Sequence, residues 1–234
     1  MEIEQLIKRI AEEVYGQIRA ERERTGAPAS AAGGAEWLLC RMRPGMRIDE
    51  VKAACEAAKA ARVRALCIPQ WFVDYAVAEL AGSGVKVATV VGLPGGGTSP
   101  FAKYAEVKQA VVSGVEAILI PVNMQLLAAG DWGAAKNDLA DAMTPCREKA
   151  AVYAVLEAGA LSPDQLGTAA ELCSSCGVDA VLLSAVTGGA PTEEQVKAVR
   201  SKGVCTGVFG GASGERLAAY QRAGASCFAV SQLP

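Results

Sequence analysis

From residue 36 onward the sequence alternates short apolar runs with longer mixed stretches, and this alternation limits the fold more than any other feature. The apolar runs are 37–40 (WLLC), 65–69 (ALCIP), 86–91 (KVATVV), 117–121 (AILIP), 151–156 (AVYAVL), 180–184 (AVLLS), 204–209 (VCTGVF) and 227–231 (CFAVS). Each is short and predominantly apolar, so each reads as a strand buried on both faces. Between them lie helix-like stretches at 48–61, 72–81, 101–113, 163–176, 192–201 and 214–223. Several end at a glycine, at Gly82, Gly114, Gly177, Gly203 and Gly224, where a helix C-cap is expected. Buried strands separated by helices form a parallel sheet. Eight strands are the number that closes a (β/α)8 barrel, the TIM-barrel architecture; an open doubly wound sheet is the alternative.

A different pattern precedes the barrel. In residues 2–24 (EIEQLIKRIAEEVYGQIRAERER) the apolar positions Ile3, Leu6, Ile7, Ile10, Val14 and Ile18 share one helical face, with Glu, Lys and Arg opposite. Residues 25–35 (TGAPASAAGGA) are too small to build a core and read as a flexible linker. The expected organisation is therefore an amphipathic helix over 1–24, a linker over 25–35 and the barrel over 36–234. The apolar face needs a cover. Docking on another protein is one reading; folding back on its own domain, or pairing in a homodimer, is the other. A membrane surface is disfavoured, because Glu nearly balances Lys and Arg.

Charge and composition exclude several functions. With 25 acidic and 23 basic residues the net charge is −2, which offers no basic face to nucleic acid. No apolar run reaches the ~18 residues of a membrane span. The chain is charged from Glu2 onward, unlike a secretory signal, so a cytoplasmic protein is expected. There is no histidine, which removes Ser-His-Asp and Cys-His catalysis and histidine metal sites. The eight cysteines are expected to be reduced thiols. Cys173 and Cys176 form a CxxC near a helix end; a redox pair or half a metal site is one reading, two buried helix cysteines the expected one, because no second CxxC completes a site. No metal and no cofactor are expected.

Function in such barrels sits at the C-terminal ends of the strands. There the sequence places Thr187, Gly188 and Gly189 after the sixth strand, Gly210 and Gly211 after the seventh, and Ser231 after the eighth. Glycine-rich turns with free N–H groups suit an oxyanion such as a phosphate, although plain tight turns have the same composition. The strands carry almost no charge; Lys86 opens the third, at the end away from the site.

The stretch 85–106 (VKVATVVGLPGGGTSPFAKYAE) resembles the VKV-x-TVVGFPLG segment and the following K-x-x-E, here Lys103 and Glu106, of the deoxyribose-phosphate aldolases. Residues 65–72 resemble that family's V-C-x-x-P segment, with the proline at Pro69. Gly130-Asp131-Trp132, Leu156-Glu157-Ala158, 188–192 (GGAPT), Gly210-Gly211 and 224–231 match further family segments, so the resemblance covers about 37–231. It implies a class I aldolase barrel. In that family a strand-six lysine forms a Schiff base with the substrate, a strand-seven lysine depresses its pKa, and a strand-four aspartate moves protons.

Carried over residue by residue, the resemblance puts Leu119 in the aspartate's place, Leu182 in the Schiff-base lysine's place, and Cys205 or Gly207 in that of the second lysine. The strand-one D-H-T segment reads Leu38-Leu39-Cys40. A leucine neither forms an imine nor transfers a proton, so no catalytic residue is assigned and the family reaction is expected to be absent. Lys103, Lys108, Lys136, Lys149, Lys197 and Lys202 fall on helices or helix ends; of these Lys103, opening a helix near the site, is the least unfavourable substitute nucleophile. The N-terminal helix and linker resemble the encapsulation peptides of bacterial microcompartment cargo. The expectation is a non-catalytic or repurposed barrel that binds a small phosphorylated sugar and travels to a microcompartment lumen through contacts with shell or cargo proteins. The alternatives are an active lyase, releasing acetaldehyde from deoxyribose 5-phosphate through other residues, and a scaffold protein.

Overall fold

The computed structural model describes residues 35–186, 188–210 and 213–233. The expected helix over 1–24, all of the linker but Ala35, and the candidates Thr187 and Gly211 lie outside the described residues.

Eight parallel strands close a barrel in chain order: β1 (Glu36–Cys40), β2 (Ala65–Cys67), β3 (Lys86–Val90), β4 (Ala117–Pro121), β5 (Ala151–Glu157), β6 (Ala180–Ser184), β7 (Thr206–Phe209) and β8 (Cys227–Val230). Closure is made by β1 and β8, with Leu38 opposite Ala229. The helices are α1 (Ile48–Ala61), α2 (Val73–Leu80), α3 (Pro100–Val112), α4 (Met124–Ala128), α5 (Trp132–Met143), α6 (Pro163–Cys176), α7 (Glu193–Arg200) and α8 (Gly214–Arg222). The closed barrel, not the open sheet, is the fold. No helix among the described residues is long and apolar enough to cross a membrane.

Strand alternation sorts the apolar side chains into two layers. Leu39, Ile118, Leu156 and Phe228 point outward and pack under the helices. Leu38, Leu119, Tyr153, Val155, Leu182 and Cys227 point inward and fill the barrel. This double burial is why the strands read as unbroken apolar runs.

Helix ends follow local chemistry. Ser162 accepts from the Gln165 N–H and Gln165 reaches back to the Ser162 N–H, a capping box that starts α6; Thr192 and Gln195 do the same for α7. Gly177 closes α6 at φ 82°, where a Cβ would be strained, and its N–H turns back to the Cys173 and Ser174 carbonyls. The other four glycines expected at helix ends also have positive φ.

The sequence reading names no helix between the fourth and fifth strands, yet α4 and α5 both lie there. α4 has only five residues. α5 buries Ala135, Asp138, Leu139, Ala142 and Met143, a face that two alanines and an aspartate share with only two large apolar residues, so its periodicity is faint. Their starts are set by Asn123 and Asp131, whose side chains accept from the first-turn N–H groups.

At the N-terminal end of the barrel the Tyr153 hydroxyl donates to Glu36 Oε1 at 2.8 Å, and Arg64 Nε stands 3.3 Å from the same oxygen. Burial, reinforced by the Glu36 charge, pushes the Tyr153 phenol well up. This end of a barrel carries stability rather than chemistry.

Candidate functional site at the barrel mouth

The inner layer beneath the mouth is closed and apolar. Leu119 and Leu182 are both fully buried. Leu182 pairs in register with Val155 on one side and Gly207 on the other. A Cβ built at Gly207 would lie 2.6 Å from Leu182 Cδ2 and 2.3 Å from the Cys227 carbonyl oxygen. The Leu182 side chain therefore occupies the space that a side chain at 207 would need, and the β8 backbone closes the remainder. Cys205 lies just before β7, at the far end of the strand from the mouth, with Sγ 3.6 Å from Ser226 Oγ. Register thus places Gly207, not Cys205, beside Leu182.

Lys103 does not face this layer. It is fully buried on α3, with Nζ 2.5 Å from Asp138 Oδ2 of α5. An amine held in an ion pair between two outer helices is not poised to attack a carbonyl at the mouth, which counts against even Lys103, the least unfavourable substitute nucleophile. Glu106, three residues on, accepts from the Gly92 N–H at 2.7 Å. The K-x-x-E pair is a brace: one side chain ties α3 to α5, the other ties it to the end of β3.

One carboxylate does sit at the end of an inner-facing strand position. Glu157 ends β5 opposite Ser184 and is buried, and its Oε2 has no hydrogen-bond partner. The Ser184 hydroxyl accepts from the Val186 N–H at 3.1 Å. Such an orphaned oxygen is uncommon in a folded protein. The sequence signal was available: Glu157 is the one acid ending an otherwise apolar strand.

Beside the inner layer, a cavity of about 670 Å³ opens between α1 and the ends of β1, β7 and β8. It brings together Gly210 and Ser231, but Gly188 and Gly189 do not line it. Gly188 packs instead against the Gly159 backbone after β5. The Gly210 N–H donates to the Ala229 carbonyl at 2.8 Å, so it belongs to the sheet and is not available to an anion as the composition suggested. The charge at this cavity comes from a residue the sequence reading did not single out. Arg41, directly after β1, is half-buried and has no carboxylate partner among the described residues. Arg43 also lines the cavity but is paired with Glu50. The only hint in sequence was an arginine next to the end of a strand.

All eight cysteines are free. Cys40 stands in register with Cys67 inside the barrel, and that neighbour together with burial pushes the Cys40 thiol up. Cys173 is buried in α6 and Cys176 half-buried, its Sγ directed at the Lys136 carbonyl; burial pushes both thiols up, away from the thiolate a redox pair needs. No group of three or more potential metal ligands is assembled among the described residues.

Comparison with known proteins gives concordant likenesses. The chain is 37% identical over 147 residues to the deoxyribose-phosphate aldolase of Streptococcus equi subsp. zooepidemicus, covering 62% of this chain and 66% of that one. It is 31% identical over 162 residues to the deoxyribose-phosphate aldolase of Caldanaerobacter subterraneus subsp. tengcongensis, covering 68% and 70%. The match thus spans about two thirds of the length of these curated relatives. No protein-family model matches the sequence. In fold, the chain superposes on the deoxyribose phosphate aldolase of Aeropyrum pernix with a TM-score of 0.75 at 19% identity, over 84% of this chain and 85% of that one.

Proposed function

Because this chain belongs to the deoxyribose-phosphate aldolase family, we propose that it is a member that does not run the Schiff-base aldol reaction and instead binds a small phosphorylated ligand. The observation that carries the reading is Leu182, fully buried and packed into the space over Gly207. An imine needs a primary amine within reach of the substrate carbonyl, held neutral by burial or by a nearby cation. Among the described residues the inner layer around Leu182 and Leu119 offers neither amine nor cation, and the buried Lys103 is committed to Asp138. Glu157 could accept a proton, but a base without a nucleophile does not complete the covalent route.

Binding is supported by the other half of the mouth. Arg41 and Ser231 border an open cavity at the ends of β1 and β8, where an anionic group gains a charge-assisted contact. Transport to a bacterial microcompartment belongs to the same proposal, supported by the single apolar face in residues 2–24 and the small-residue stretch after it.

The test is turnover. Purified full-length chain given deoxyribose 5-phosphate should release acetaldehyde no faster than a protein-free control, in a coupled alcohol dehydrogenase assay. Release well above that blank overturns the reading. For transport, deletion of residues 1–34 should abolish co-purification with shell proteins while the barrel stays folded by circular dichroism. Undiminished co-purification would end the targeting part.

A further inference from the structure

The cavity beside β1 and β8 has walls that do not suit a sugar. One rim carries Arg41 and Ser231; the walls are Met42, Met46, Ala54, Val186, Phe209 and Ala229. The hydrophilic groups nearest the apolar wall are already engaged. Glu50 is paired with Arg43 and also accepts from the Arg47 N–H at 2.9 Å, and the Gly210 N–H donates to Ala229. A polyol entering this space would give up water at each hydroxyl and meet methyl, thioether and phenyl surface, which costs free energy at every unpaired oxygen. Hydrocarbon entering the same space loses nothing and covers surface that is otherwise wet. Val186, 64% exposed at the rim, is one such surface. The two methionines add a wall that adapts its shape to the guest. A volume of about 670 Å³ lies within the range of small-molecule sites.

We infer that this cavity takes an amphipathic phosphate: a phosphate monoester whose head group meets Arg41 and Ser231 and whose body is unsubstituted hydrocarbon lying against Met42, Met46, Val186 and Phe209. The inference rests on the reading above that the barrel binds a phosphorylated ligand, and it makes that ligand an alkyl ester in place of a sugar ester. Arg41 is the positioning charge because, of the two arginines on the rim, it is the one with no carboxylate partner among the described residues.

Three probes separate this claim from the one beneath it: inorganic phosphate, ribose 5-phosphate and n-butyl phosphate, each titrated calorimetrically into the full-length chain. Each methylene moved from water onto apolar surface is worth about fourfold in affinity. Butyl phosphate should therefore bind at least about tenfold tighter than ribose 5-phosphate, allowing for partial burial of the chain. Arg41→Gln should weaken all three probes. Met46→Gln should leave inorganic phosphate unchanged and erase most of the butyl advantage. If ribose 5-phosphate binds as tightly as butyl phosphate or tighter, the alkyl assignment is wrong while the phosphate reading stands. If butyl phosphate wins but Arg41→Gln changes nothing, the head group has been misplaced. If none of the three binds, both readings fall together.

Discussion

Replacing Leu182 by lysine returns an amine to the centre of the barrel, and the structure says what that amine would do. Leu182 is fully buried between Val155 and Gly207, and the inner-facing carboxylate of Glu157 lies two residues nearer the mouth, opposite Ser184. A lysine there loses hydration in its charged form and has no carboxylate at its own level of the barrel, Glu157 standing two residues higher, so it titrates well below its free value of ~10.4. Between that lowered pKa and ~10.4, the unfolded variant holds a proton that the folded variant does not. The variant's stability, relative to the parent, must then rise with pH by about 1.4 kcal/mol per unit. From pH 7 to pH 10 this comes to roughly 4 kcal/mol, a large share of the ~5–15 kcal/mol that holds a domain together. Urea unfolding of parent and L182K at pH 8, 9 and 10 measures the slope, and the parent's own alkaline response cancels in the difference. Acetaldehyde release should stay at background throughout, because the amine is enclosed in the inner layer and Leu119 there transfers no proton. A stability difference that does not change with pH would mean that the amine finds water or a carboxylate. The closed apolar interior, and the loss of chemistry argued from it, would then be mistaken.

Three further substitutions or conditions probe other parts of the structure. Gly207→Ala should cost about 3 kcal/mol or more, since its Cβ meets the Cys227 carbonyl, and L182A should not rescue it; rescue would show that Leu182 alone sets the limit. Lys103→Met leaves Asp138 charged and buried and should cost about 3–5 kcal/mol, with K103M/D138L recovering most of it in thermal unfolding; an unaffected single variant would remove the brace from the account. Burial pushes the Cys146 thiol up to about 12, and the Cys173, Cys227 and Tyr153 groups upward as well. Unfolded thiols ionise first, so this stability is complete below about pH 8.5 and is lost as the pH rises toward the folded values, giving a urea midpoint that falls from pH 8 to 10.5; a flat midpoint would contradict the burial of these groups.

The barrel was readable because burial on both faces leaves an unmistakable mark. The run 117–121 has no polar position and 180–184 only its final Ser184, and the strands β4 and β6 coincide with them. The glycines that end helices were equally legible, since positive φ is a local demand. α5 was not, because alanine serves a buried face and an exposed one alike. At the site, strand order located the mouth, and resemblance drew attention to Leu119 and Leu182, both buried in the inner layer. What composition could not give was who already holds each polar group. Gly210 looked like a free donor until register gave its N–H to Ala229, and Arg41 looked like one arginine among several until its neighbours Arg43 and Arg47 proved to be paired. The choice between Cys205 and Gly207 likewise depended on pairing with β6.

The most direct test is covalent. Full-length chain is incubated with deoxyribose 5-phosphate and reduced with borohydride, and its intact mass is measured beside an aldolase of the same family treated identically. A closed interior around Leu182 leaves the mass of this chain unchanged while the control gains the reduced adduct. An adduct on this chain, mapped to any lysine, would show a working Schiff base and contradict the central claim.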